Sequence, residues 1–384
     1  MDGIKTSMAK VVVLSNHVSS LINFRGKLIE EMVASGHRVS AAAPDDVGSY
    51  RAALDRLGVR YLQVSLDRAS TNPFSDLRSI RSLHDLLRGE RPDVVFSYTT
   101  KPVIYGSLAS SLARVPLVSS MITGLGYAFS GGGLKRLLVN RVARLLYYHS
   151  LRKNQVVFFQ NPDDMQLFRH LGLVHAKHRV VLVNGSGVDV EHYRPAPFPG
   201  TPSFLLIARL IEEKGVRQYV EAARIVKSRY PQVRFRLVGF LDKNPTSIQS
   251  WELESWQSEG VVEYLGRLHD VRPAIADASV YVLPSYYREG IPRSVLEAMS
   301  MGRAIVTTDS PGCRETVRPG INGFLVPAQD VEGLSLALER FLLQPELQQS
   351  MGEASRRLAV EKFDVRDVNR VILGNLGLLD EAHC

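Results

Sequence analysis

Short runs of consecutive apolar residues alternate along this chain with longer stretches in which apolar positions recur every three or four residues. Val11-Val12-Val13-Leu14-Ser15 is the first run, and an unbroken run of that length predicts a strand buried on both faces of a parallel sheet. A polar loop carries the chain to a helix over 24–34, closed by Ser35-Gly36. The rhythm then predicts strands over 37–43, 60–64, 94–97, 117–120, 156–160 and 179–183, with helices over 50–57, 74–88, 103–113 and 134–153. It restarts with strands over 204–208, 234–238, 261–265 and 280–285 and helices over 215–229, 246–257, 270–276 and 294–301. Residues 304–307 and 323–326 read as edge strands, and 331–343, 345–363 and 364–379 as closing helices.

Strands alternating with helices predict an α/β fold, a parallel sheet wound on both faces. A length of 384 residues suits two such domains, at roughly 150 residues each. Pro195, Pro197, Pro199 and Pro202 crowd one polar stretch, which reads as the linker between them. The expected division is a disordered extension (1–9), an N-terminal Rossmann-like domain (10–193), the linker (194–202), a C-terminal Rossmann-like domain (203–363) and a last helix (364–384) free to cross back. The cleft between the two domains is then the expected site.

Composition changes this picture little. No apolar run reaches the ~18 residues of a spanning helix and the N-terminus has no signal-peptide core, so the expected location is the cytoplasm, dissolved or peripheral on the inner face of the membrane. Two cysteines, Cys313 and Cys384, make neither a disulfide framework nor a metal cluster. Lys+Arg 47 against Asp+Glu 39 leaves +8, which suits anionic partners. Part of that excess sits in 134–153, which holds Lys135, Arg136, Arg141, Arg144, Arg152 and Lys153 and no acidic residue. A basic amphipathic helix is a membrane-surface signature. Arg141 and Arg152 intrude on the arc of Leu134, Leu138, Val142 and Leu145, so core packing with snorkelling arginines competes.

Two stretches carry candidate chemistry. Glu289-Gly290-Ile291-Pro292-Arg293 runs from the strand at 280–285 into the helix that holds Glu297, an E-x7-E spacing. Helix N-termini offer unpaired N–H groups to anions, and carboxylates accept from hydroxyls. A glutamate near a helix start is also favoured by the helix dipole alone. The second stretch, Arg209 to Lys214, follows the first strand of the second half, where a guanidinium and an ammonium can reach a diphosphate. In the first half, three loops at predicted strand ends share one rim: 20–26 with Asn23, Arg25 and Gly26, 98–102 with Lys101, and 122–127 with Thr123.

R-x4-K followed by E-x7-E in one domain resembles the donor site of the retaining glycosyltransferases of family 4, which have the GT-B fold of two Rossmann-like domains. The segments 20–26, 98–106 and 122–129 look most like the CapM- and PglA-like subgroup of bacterial surface-glycan enzymes, and the likeness runs from Val11 to about Phe363. It implies transfer of a hexose or N-acetylhexosamine from a UDP-linked sugar to a polyprenyl-diphosphate-linked saccharide, in capsule, O-antigen or glycan assembly. It also implies residue roles: Arg209 and Lys214 on the diphosphate, Arg267 and Leu268 on the base, Glu297 on the ribose, and Glu289 with the backbone of Gly290, Ile291, Pro292 and Arg293 on the transferred sugar. Gly26 matches the small residue that lets the first domain approach the diphosphate. Thr123 stands where many members carry a histidine that touches the sugar. The chain contains no D-x-D sequence, and no metal or other cofactor is expected. Retention follows from the resemblance, with same-face attack and the departing phosphate accepting the acceptor's proton. A UDP-sugar 2-epimerase of the same architecture is the alternative enzyme. A nucleic-acid-binding protein is the third reading, though the basic residues show no recognition-helix or aromatic-interleaved pattern.

Overall fold

A computed structural model describes residues 8–66, 73–129, 134–242 and 246–379. The chain divides into two units, residues 1–186 with 365–384, and residues 187–364. The first comprises β1 Lys10–Leu14, α1 Val18–Ala34, β2 Arg38–Ala43, α2 Arg51–Arg56, β3 Arg60–Gln63, α3 Pro73–Glu90, β4 Val94–Tyr98, α4 Thr100–Leu112, β5 Leu117–Ile122, α5 Leu134–Leu151, β6 Val156–Phe159, α6 Pro162–His170 and β7 Arg179–Leu182. The second comprises β8 Ser203–Ile207, α7 Val216–Arg229, β9 Arg234–Val238, α8 Ser250–Ser258, β10 Glu263–Tyr264, α9 Arg272–Ala276, β11 Val280–Leu283, α10 Arg293–Ser300, β12 Ala304–Thr308, β13 Gly323–Val326, α11 Val331–Leu343 and α12 Glu346–Phe363. Helix α13, Val365–Leu376, then joins the first unit.

Both sheets are parallel, in the orders β3-β2-β1-β4-β5-β6-β7 and β10-β9-β8-β11-β12-β13. The period of two along each strand sends alternate side chains to opposite faces. Val11 and Val13 accordingly join one core with Ala41, Phe96 and residues of α1 and α13, while Val12 and Leu14 join another with Val95, Val103 and Tyr147. In the second unit Phe204 and Leu206 pack with Val280 and Val282, and Leu205 packs on the other face with Tyr281 and Leu283. Helices on both faces are what an uninterrupted apolar strand requires.

Several expectations need correction. Ala9 already pairs with the sheet, accepting from Arg38 N at 2.9 Å, so the expected extension over 1–9 ends sooner; residues 1–7 lie outside the described residues. The stretch 20–26 is not a loop but the first half of α1. Its start is capped at long range: Val18 N donates to the Asp45 carboxylate at 2.8 Å. Residues 194–202 are not a linker. Arg303, buried beneath them, donates to Pro197 O at 2.8 Å and lies 4.6 Å from the Phe198 ring, fastening the proline stretch to the second unit. Burial lowers the pKa of that guanidinium to about 10. The crossings between units fall at Ser186/Gly187 and Asp364/Val365. Strand β12 is interior, between β11 and β13. Residues 246–249 are extended because Ser247 bridges to Ile211 and bonds Leu210 O, and a capping box of Gln249 and Glu252 delays α8 to Ser250. Helix α6 has no counterpart in the sequence reading, although Asn161 caps it and Pro162 opens it.

Candidate functional site

In an open parallel sheet the ligand crevice lies off the carboxyl ends of the strands where the order reverses. In the second unit that point is between β8 and β11. The Arg209–Lys214 stretch follows β8 and the Glu289–Glu297 stretch follows β11, so both converge there. Backbone contacts fasten the two loops together: Tyr286 N and Tyr287 N donate to Glu213 O at 2.9 and 3.0 Å. Gly215, at φ +74°, allows the approach, since a Cβ there would lie 2.1 Å from Pro284 O. Gly312, at φ +79°, supports the other side, where a Cβ would lie 2.1 Å from Gly290 O and 2.8 Å from Glu289 O. Backbone this close, in a left-handed conformation, admits only glycine without displacement.

Lys214 Nζ bonds Glu289 Oε1 across 75 residues of sequence, each side chain being 12% exposed. Ser285 Oγ lies 3.1 Å from the same carboxylate oxygen. Arg209 pairs with Asp242 at 3.3 Å, and the Tyr287 ring lies 5.7 Å from Arg209 Cζ and 5.5 Å from Lys214 Nζ. Two cations thus flank one aromatic face beside a carboxylate, which suits a ligand joining a dianion to a polyhydroxyl group. Cys313 is buried nearby, and burial followed by the Glu289 charge pushes its thiol up to about 11, so it is not a nucleophile here.

Glu297 lies one helical turn into α10 and is largely buried. Its Oε1 accepts from Tyr193 Oη at 2.9 Å and from Arg293 Nε at 2.9 Å. Arg293 therefore spends its Nε on its own helix. Ile291 sends its side chain into the core, and Pro292 caps α10 in extended backbone. Arg267 is exposed and lies 5.2 Å from the Phe240 ring, and Leu268 packs on the core beside it. Sequence reasoning missed Tyr193, Asp242, Ser285 and Tyr287. Only Ser285 and Tyr287 border a recognised motif; Tyr193 lies 104 residues from its partner.

The first unit's candidates are more scattered. Asn23 is exposed on α1, and Gly26 is buried there with nothing within 4 Å of a built Cβ. Arg25 is 1% exposed, 5.2 Å from the Tyr98 ring, a buried cation rather than an open contact. Lys101 pairs with Asp76 at 3.3 Å, and Thr123 is half-buried just past β5. On α5, Leu138, Val142 and Leu145 are 64%, 49% and 59% exposed and Arg141 is exposed with them. These three positions of the apolar arc are therefore not core, the side chain of Leu134 lying outside the described residues; Ala143, Tyr147 and Leu151 are buried instead. The side chains of Lys135 and Arg136 lie outside the described residues. No described helix is long and apolar enough to cross a membrane.

Two family models match: a glycosyl transferase 4-like domain over residues 24–185 and glycosyl transferases group 1 over residues 201–344. A Campylobacter jejuni protein, the N,N'-diacetylbacillosaminyl-diphospho-undecaprenol alpha-1,3-N-acetylgalactosaminyltransferase, is 28% identical over 366 residues, 92% of this chain and 94% of that one. An Escherichia coli UDP-Gal:alpha-D-GlcNAc-diphosphoundecaprenol alpha-1,3-galactosyltransferase is 25% identical over 76% of each chain. Among solved structures, Anabaena Alr3699/HepE in complex with UDP-glucose superposes with a TM-score of 0.77 at 18% identity, covering 97% of this chain and 100% of that one. The fold is therefore the GT-B arrangement of two Rossmann-like domains. With both halves matched in order and the Arg209–Lys214 and Glu289–Glu297 stretches meeting at one switch point, the chain belongs to the family 4-like, group 1 glycosyltransferases.

Proposed function

We propose that this glycosyltransferase moves a hexosyl or N-acetylhexosaminyl group from a UDP-sugar to a polyprenyl-diphosphate-linked saccharide, with retention and without a metal ion. The observation that carries it is the Lys214–Glu289 pair beside Arg209. As the anomeric C–O bond to phosphate breaks, charge grows on the leaving diphosphate, and Arg209 and Lys214 neutralise it. A cation already fixed by a partner, as Lys214 is by Glu289, needs little reorganisation at that moment. Glu289 holds the sugar hydroxyls and tempers the positive charge at the anomeric carbon. The acceptor hydroxyl attacks from the face the phosphate leaves, and its proton passes to a phosphate oxygen. Glu297 receives the ribose, and Arg267 with Leu268 borders the base. The acceptor class is supported by the diphospho-undecaprenol sugars in the names of both relatives. In a screen of nucleotide sugars followed by transfer to short polyprenyl-diphosphate sugars, Glu289→Ala and Lys214→Ala should each lower turnover by ~100-fold or more with circular dichroism unchanged. Near wild-type turnover in either would sink the assignment.

The exposed arc of α5 supports contact with an anionic membrane, where a lipid-linked acceptor would be presented. Leucines at the acyl boundary beside arginines at the headgroups fit such a surface. Leu138→Ser/Leu145→Ser should release the protein from phosphatidylglycerol vesicles in a flotation assay while the melting temperature holds. Unchanged flotation would remove α5 as the contact.

A further inference from the structure

Glu297 is the least exposed of the polar groups assigned to the nucleotide, and its two oxygens are not equivalent. Oε1 accepts from both Tyr193 Oη and Arg293 Nε, each at 2.9 Å. No described residue donates to Oε2. Two donors converging on one oxygen hold the carboxylate against rotation and keep the other oxygen's lone pairs for a ligand.

Tyr193 is itself held on three sides. Its N–H donates to Asp189 O at 2.9 Å, and its carbonyl accepts from Ser300 Oγ at 2.7 Å and from Arg356 Nη1 at 3.3 Å. Ser300 ends α10, the helix that carries Glu297 at its centre. The phenol therefore arrives from a segment tied to the same helix it orients. Burial, reinforced by the Glu297 charge, raises its pKa, so it stays a proton donor at working pH. By contrast, Arg293 alone would supply a single i,i+4 contact from the helix's own first turn, and such pairs contribute little by themselves.

We propose that Tyr193 is a positioning residue for nucleotide recognition, fixing Glu297 so that Oε2 accepts from one ribose hydroxyl of the nucleoside diphosphate. The inference rests on the assignment of Glu297 to the ribose. Tyr193→Phe removes one oxygen from a partly buried ring, and thermal melting verifies that the fold survives. Calorimetric titration of the full chain with UDP and with 2′-deoxy- and 3′-deoxy-UDP then separates the roles. The wild type should bind the better-tolerated deoxy analogue as UDP and the other ~10-fold or more weakly, the scale of a lost hydrogen bond to a charged group. In Tyr193→Phe, UDP affinity should fall ~5-fold or more while affinity for the discriminated analogue is unchanged, so that the ratio shrinks. In a Glu297→Gln background the same change should have no further effect.

An unchanged ratio in Tyr193→Phe, or an equal loss for all three nucleotides, overturns the positioning role and leaves the ribose assignment standing. A wild type that binds all three alike, or does not bind UDP, overturns the ribose assignment and the inference with it.

Discussion

At the scale of single residues, the site is defined by close approaches as much as by its charges. Gly312 has its α-carbon against two carbonyls of the loop that carries Glu289. Gly312→Ala must move that loop or itself, and its φ of +79° adds strain whatever the space. Such a change should cost about 2–4 kcal/mol in urea unfolding and, because a shift of ~1 Å in a reacting group costs ~100-fold, should depress transfer well beyond the stability loss. Wild-type turnover at a temperature where the variant is folded would show that the loop has slack. The residue types were legible beforehand: a lysine, an arginine and two glutamates at recognisable spacing. Their partners were not. Asp242 meets Arg209 across 33 residues and Tyr193 meets Glu297 across 104, separations that no local spacing marks.

At the scale of elements, periodicity located nearly every strand and most helices, because burial on one or two faces writes itself into the order of residues. It failed where an element's limit is set from afar. Helix α1 begins early because Asp45 caps it, and 246–249 stay extended because they pair with the loop at 210–212. A further remote constraint acts on the end of α5. His178 Nδ1 accepts from His175 N at 2.8 Å, which puts the ring proton on Nε2, 3.1 Å from Leu151 O, the last residue of α5. Burial, followed by the neighbouring Lys177 charge, lowers the His178 pKa. His175 lies on the same ring at 5.7 Å and adds a cation if protonated. A lowered folded pKa means the native state holds fewer protons, so this clamp contributes fully above the unfolded value of about 6.5 and is lost as pH falls through the folded value. The melting temperature should therefore drop between neutral pH and pH ~5, and the drop should be smaller in His178→Gln. Equal drops in both proteins would show that the clamp does not titrate in that window.

At the scale of the whole molecule, the units do not follow the order of the chain. Helix α13 belongs to the first unit, where Val368, Ile372, Leu373 and Leu376, with Leu378 beyond, are buried in the core of β1, β2 and β4. Removing residues 365–384 takes those five apolar side chains out of that core, at ~1.5–3 kcal/mol each, against a typical domain stability of ~5–15 kcal/mol. Hydrogen exchange on a chain ending at Asp364 should show the first unit unprotected and the second protected as in the full protein. Full protection of both would mean α13 is an ornament.

The sequence by itself determined that there are two parallel α/β halves, that one presents a pair of cations and a pair of carboxylates after its first and fourth strands, and that α5 is basic and amphipathic. These follow from local periodicity and from motif spacing, which survive in one dimension. Only the tertiary structure decided that the proline stretch is fastened to the second unit by Arg303, that the last helix completes the first, that Leu138, Val142 and Leu145 of α5 are exposed, and that Lys214 meets Glu289 and Tyr193 meets Glu297. Each of those depends on which distant groups share a strand end or a core face, and no local pattern records that.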